Sequence, residues 1–165
     1  MTLVSASESI LKAIEKRFET VGHPADITLV HSCGQSDRKD GIQHLAHEGL
    51  VKRIVGSHWG LQPRWMEMIA NSQVEAYCLP QGQIAQLYRS MACGLPGKMS
   101  KVGLGTFIDP RVEGGKMNDR TKPLPDLVDI LEYGGEEYMF YKEIPLDTVL
   151  IRGTVCDEMG NLTTT

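Results

Sequence analysis

Tyr77-Cys78-Leu79-Pro80-Gln81-Gly82-Gln83-Ile84-Ala85-Gln86-Leu87-Tyr88-Arg89-Ser90-Met91-Ala92-Cys93-Gly94-Leu95-Pro96-Gly97 is the stretch whose reading decides the fold. It reads as a strand ending at Cys78 and Leu79, a turn at Pro80-Gln81-Gly82, and a helix from about Gln83 to Cys93. The helix is predicted because Ile84, Leu87, Tyr88, Met91 and Ala92 fall on one face at a period of 3.6 residues. Gly94 and Pro96 stop it. A short strand to Val102 follows, and then a long loop. The loop runs from Gly103-Leu104-Gly105-Thr106-Phe107-Ile108-Asp109-Pro110-Arg111 through Gly114-Gly115-Lys116-Met117-Asn118.

In an α/β protein, ligands gather at the carboxyl ends of strands, so a polar residue at a strand-to-helix turn faces the expected site. Gln81 is such a residue; the alternative is a glutamine that bonds only its own turn. The loop after Val102 sets glycines at Gly103, Gly105, Gly114 and Gly115 around a Thr, a Phe, an Asp-Pro and an Arg. Loops longer than about twelve residues are uncommon unless they carry function or are disordered.

Working back toward the amino terminus, Ser5-Ala6-Ser7-Glu8 has the form of a capping box, and Ile10, Leu11, Ile14 and Phe18 continue at helical spacing. Gly22-His23-Pro24 ends that helix, and Ile27 to His31 is a short strand. A polar loop over Gly34 to Gly41 leads to a helical patch around Ile42 to Gly49. Arg53 to Ser57 is the next strand, ending at His58-Trp59-Gly60. Pro63 opens a helix with Trp65, Met66 and Ile69 on one face, and Val74 to Leu79 completes the strand of the central stretch. Strands alternating with helices imply a parallel sheet with helices packed on its faces.

The last third changes character. Leu127 to Tyr133 and Glu137 to Tyr141 flank Gly134-Gly135, which is a hairpin signal. Thr148 to Val155 reads as a further buried strand, and Met159-Gly160-Asn161 as a turn.

Composition is that of a globular domain: 165 residues, 41% hydrophobic and 23% charged, with net charge −4 from mixed signs. No basic surface for nucleic acid or membrane is expected. Cys33, Cys78, Cys93 and Cys156 lie far apart, without metal or redox spacing, and read as mostly buried reduced thiols of a cytoplasmic protein. Met1 to Ser9 has neither a basic start nor a long apolar run, so no leader is expected.

The ordered set Pro80-Gln81-Gly82, the Gly94-Leu95-Pro96-Gly97 break, Gly103-Leu104-Gly105-Thr106-Phe107-Ile108-Asp109-Pro110-Arg111 and Gly114-Gly115-Lys116-Met117-Asn118 resembles family I coenzyme A transferases. The similarity is densest from Glu48 to Asn118. It returns at Tyr138-Met139-Phe140-Tyr141-Lys142 and at Asp157-Glu158-Met159-Gly160-Asn161. The group most similar is the acetate, propionate or short-chain acyl-CoA:carboxylate type.

The resemblance implies an α/β fold with a mostly parallel sheet flanked by helices and a β-hairpin in the last third. It implies that residues 1–165 are a partial amino-terminal domain, cut at both ends, that works with a carboxyl-terminal half and assembles as a homo-oligomer when complete. It also implies the chemistry. A glutamate carboxylate attacks an acyl-CoA thioester, the thiolate returns to give a glutamyl-CoA thioester, and an acceptor carboxylate completes the exchange. CoA is then a substrate, with no cofactor and no metal. The nucleophilic glutamate belongs to the second half in this family. Glu132, at the expected hairpin bend, is a poor substitute.

Gln81 matches the family glutamine that supports the catalytic carboxylate and shapes the oxyanion pocket, as an amide can by both donating and accepting. Gly82, Gly103, Gly105, Thr106 and Phe107 would line the acyl and pantetheine pocket, and Arg111 and Lys116 would either meet a CoA phosphate or be solvated. Other residues carry less. Gly103-Leu104-Gly105 lacks the third glycine of a dinucleotide fingerprint. His44 and His47 beside Glu48 read as a solvated face and Cys93 as unreactive, while His58-Trp59-Gly60 at its strand end either borders the pocket or, the preferred reading, is a packed Trp with a satisfied His. Two rival functions remain open at this point: a non-catalytic ligand-binding or regulatory module on the same scaffold, and an acyl-CoA hydrolase.

Overall fold

The computed structural model describes residues 6–164. Ser5 of the expected capping box lies outside them. Helix α1 (Glu8–Val21) starts with Ser7 at its N-cap, and no side chain caps it. Glu8 instead accepts from the Gly41 N–H at 2.9 Å, so the predicted capping glutamate serves a tertiary contact.

Strands β1 (Ile27–Val30), β2 (Val51–Gly56) and β3 (Glu75–Cys78) form a parallel sheet in the order β1-β2-β3. A 3-10 helix (Gly41–Leu45) and α2 (Pro63–Ala70) make the crossovers, with Pro63 in the first turn of α2, where its missing N–H costs nothing. Alternation along the strands sends successive residues to opposite faces. Ile54 and Ala76 pack with Leu11 of α1 and with Trp65, Met68 and Ile69 of α2, while Val55 and Tyr77 pack on the other face. That second face is covered by Ile84 and Leu87 of α3 (Gln81–Ala92) and by Met139 and Tyr141.

The fourth strand departs from simple alternation. β4 (Gly97–Ser100) leaves the parallel sheet and pairs antiparallel with β6 (Glu136–Lys142), which also pairs with β5 (Val128–Tyr133), in the order β4-β6-β5. The β5-β6 hairpin turns on Gly134 and Gly135, both at positive φ (63° and 78°), as the twist of a two-residue hairpin demands.

Two expectations are corrected here. Thr148 to Val155 is exposed and is not a strand, except where β7 (Val155–Cys156) meets β8 (Leu162–Thr163). No described strand lies alongside residues 148–153 to complete a ladder. The cysteines are all free, but Cys93 and Cys156 are exposed and Cys33 and Cys78 only partly buried. Among the described residues, no helix is long and apolar enough to cross a membrane.

Candidate functional site

The carboxyl ends of β2 and β3 open into a cleft of about 400 Å³ lined by Ser57, His58, Cys78, Leu79, Pro80, Gln81, Phe107 and Ile108. Ser57 and His58 continue from β2, and Cys78 to Gln81 run from β3 into α3. Phe107 and Ile108 arrive from the glycine loop. Parallel strands place polar turns at this end, so the cleft sits where the fold delivers its ligand contacts.

Gln81 is the first residue of α3, and Pro80 before it is extended (φ −61°, ψ 131°) with no capping side chain. The first free carbonyl of the turn, Pro80 O, takes the N–H of Gln83 at 2.9 Å and of Ile84 at 3.1 Å. Among the described residues the N–H groups of Gln81 and Gly82 have no such acceptor, so two main-chain donors stand at the helix start beside the exposed Gln81 amide. A β-carbon on Gly82 would meet nothing within 4 Å, so this chain itself does not require a glycine there.

The loop is ordered by its own turns and by β3. Asp109 is 1% exposed and accepts from the Gly105 N–H at 2.9 Å, the Arg111 N–H at 3.0 Å, and Arg111 Nε and Nη2 at 3.0 and 2.8 Å. The Arg111 guanidinium holds the Asp109 carboxyl far below the usual carboxylate range, against the cost of burial, and its own pKa rises. Thr106 donates its hydroxyl to Gly103 O at 2.8 Å, closing the preceding turn. Further on, Cys78 N–H donates to Gly115 O at 2.7 Å and Met117 N–H to Ala76 O at 2.9 Å. The loop thereby pairs antiparallel with the outer edge of β3, at the Tyr77 to Lys116 bridge.

The sequence-predicted residues therefore divide. Gln81 and Phe107 face one cleft, with Gly82 adjoining Gln81. Gly103, Gly105 and Thr106 shape the loop that carries Phe107. Arg111 is engaged twice, with Asp109 and through Nη1 with Glu137 at 2.9 and 3.0 Å. Lys116 is elsewhere: it lines a second cavity of about 390 Å³ with Ile69, Ser72, Asn118 and Asp119, and pairs with Asp126 at 2.9 Å. Glu132 is exposed on the hairpin opposite Glu137.

Sequence reasoning underrated the end of β2. Trp59 is packed as expected with its indole beside the Cys78 thiol, and His58 is exposed on the cleft rather than satisfied. The strand-end position of His58 offers the pocket border as the alternative, and the same strand-end rule extends to Ser57. Burial pushes the Cys78 thiol pKa up, and the thiol donates to Ser57 O at 3.6 Å, which suits a wall rather than a nucleophile. Behind them His31 sits edge-on to Trp59, with ring centroids 5.1 Å apart. Neither His31 ring nitrogen is solvated or bonded, and burial lowers its pKa to about 4.

The expectation of a solvated His44 and His47 is also corrected. His44 Nδ1 bonds Glu15 and its Nε2 lies 2.8 Å from Glu8 and 3.2 Å from Asp40, while His47 Nε2 lies 2.8 Å from Glu15. Ligand atoms of Glu8, Asp40 and His44 gather as a metal site would, but the Lys12 ammonium stands 3.2 and 3.3 Å from the same two carboxylates. The cation there is the protein's own. Burial works against a charged His44, yet its bonds to Glu15 and Glu8 outweigh burial and raise its pKa.

Residues 8–165 match the family described as Coenzyme A transferase. The chain is 42% identical over 164 residues to a caffeate CoA-transferase of Acetobacterium woodii, covering 99% of this chain and 31% of that protein. It is 39% identical over 156 residues to the acetate CoA-transferase YdiF of Escherichia coli K12, covering 94% and 29% respectively. The crystal structure of the acyl-CoA transferase YdiF from E. coli O157:H7, a thioester complex with CoA, superposes with a TM-score of 0.91 at 36% identity, covering 96% of this chain and 31% of that one. The chain thus spans about a third of the length of these relatives.

Proposed function

This chain belongs to the coenzyme A transferase family, and we propose that its residues form the amino-terminal part of an enzyme moving CoA between a short-chain acyl thioester and a free carboxylate. Acetate, propionate and butyrate are the class of acid intended. The observation that supports this reading is the meeting of the Gln81 amide, the free first-turn N–H groups of α3 and the Phe107 wall at one strand-end cleft.

In this reading a glutamate from outside these residues enters the cleft. Its carboxylate attacks the thioester carbonyl, and the tetrahedral oxyanion collapses to an acyl-glutamyl anhydride with release of the CoA thiolate. The thiolate attacks the glutamyl carbonyl, freeing the first acid and leaving a glutamyl-CoA thioester; the second carboxylate attacks that thioester and expels the CoA thiolate, which then attacks the acceptor's carbonyl in the new anhydride, giving the product thioester and restoring the glutamate. Gln81 orients the catalytic carboxylate, and the N–H groups of Gln81 and Gly82 with the Gln81 amide stabilise the oxyanions. Each such donor is worth roughly 2.7 to 4 kcal/mol of barrier. Phe107 gives the apolar side of the acyl pocket, on a backbone set by Gly103, Gly105 and Thr106. Arg111 keeps that loop in shape, and Lys116 holds its far end to Asp126.

Initial rates of the complete enzyme with acetyl-CoA and propionate or butyrate test this. Parallel double-reciprocal lines and an absolute need for the acceptor acid are expected. CoA release at the same rate without an acceptor would make it a hydrolase. The 165-residue chain alone is expected to be inactive.

A further inference from the structure

Residues 145 to 153 carry a composition at odds with their surroundings. Thr148-Val149-Leu150-Ile151 is the apolar, β-branched run of a strand covered on both faces. Yet no backbone hydrogen bond involves residues 145 to 153 among the described residues, and Val149 and Ile151 are each 66% exposed. Val155 is 64% exposed and Met159 86%. In an extended chain the odd positions Val149 and Ile151 share one face; the run ends at Gly153, where the Leu162 side chain already fills the space a β-carbon would take. A strand-forming run with unused ladder groups is a template for another strand.

The length of the relatives bears on what covers it. Nearly all of this chain, 96%, superposes on the solved acyl-CoA transferase, yet accounts for only 31% of that polypeptide. The parallel sheet is open as well: among the described residues no strand pairs with the other edge of β1. Resting on the transferase reading above, we propose that residues 147–153 are an interface strand that pairs with a strand from the remainder of the transferase, burying Val149 and Ile151.

Amide hydrogen exchange on the complete transferase, with turnover read on the same sample, tests this. Amides of residues 148–153 are expected to exchange about 100-fold or more slowly than those of the polar loop at residues 37–40, as slowly as those of β2. Exchange as fast as that loop, in an enzyme that turns over, overturns the interface and leaves the transferase reading intact. Protection in an enzyme that transfers no CoA overturns the transferase reading while supporting the covered strand. Protection that vanishes when the enzyme is diluted to its monomer assigns the face to a second copy and overturns the proposal.

Discussion

The Cys78 N–H donates to the Gly115 carbonyl at 2.7 Å, and that bond moors the glycine loop beside the end of β3, one turn from Gln81. Gly115 has φ 71°, and a β-carbon there would stand 2.6 Å from the Cys78 carbonyl oxygen. Gly115→Ala is therefore expected to destabilise the complete enzyme by about 2 to 4 kcal/mol, from left-handed strain plus the clash. Urea unfolding checks it; an unchanged midpoint contradicts the mooring.

Gln81 is exposed, and its side chain makes no hydrogen bond among the described residues. Gln81→Ala should therefore shift stability by no more than about 0.5 kcal/mol. It should lower kcat by roughly 100- to 1,000-fold if the amide meets the oxyanion. A kcat within a few-fold of the native enzyme removes Gln81 from the site.

His31 and His44 set opposite pH slopes. The folded His31 pKa of about 4 lies below its unfolded value, so as pH falls from about 6.5 toward 4 only the unfolded chain gains a proton there. Stability should drop across that window by up to roughly 3 kcal/mol. The folded His44 pKa is raised, so its contribution is complete below about pH 6.5 and is lost as pH rises through the folded value. Denaturation curves should accordingly show His44→Gln costing more at pH 6 than at pH 8.5. An equal cost at both contradicts the imidazolium assignment.

Asn118 is a buried anchor of the same loop. Its Nδ2 donates to Ile69 O and Val74 O, both at 2.9 Å, and its Oδ1 accepts from the Thr121 N–H at 3.1 Å and hydroxyl at 2.7 Å. Ile69 O keeps the Ser72 N–H and the Thr121 N–H keeps the Asn118 main-chain carbonyl, but Asn118→Ala takes its bonds from Val74 O and the Thr121 hydroxyl and should cost about 1 to 3 kcal/mol. Thermal unfolding would show it as a lowered Tm, and a native Tm would contradict it.

What was legible in the sequence was what local chemistry dictates. The strand-turn-helix around Gln81, the Pro63 helix start and the Gly134-Gly135 hairpin follow from periodicity and turn residues within a few positions. What was hidden depended on distant partners. β4 pairs with β6 some 40 residues later, so alternation alone could not show that it leaves the parallel sheet. His44 and His47 looked solvated because Glu8 and Glu15, their partners, come from α1. Lys116 sits near Arg111 in sequence, but the antiparallel bridge to Tyr77 carries it along β3 and away from the cleft. Thr148 to Val155 has the composition of a buried strand, and apart from Leu162 and β8 at its end the described residues supply nothing to bury it.

The central claim is that this chain shapes a cleft for a glutamate it does not carry. Mass spectrometry of peptides from the complete enzyme, trapped with acetyl-CoA in the absence of acceptor acid, tests it most directly. The account predicts CoA in thioester linkage to one glutamate outside these 165 residues, and loss of the adduct when propionate is added. CoA or acyl groups attached to a residue of this chain, such as Cys78 or Glu132, would contradict it.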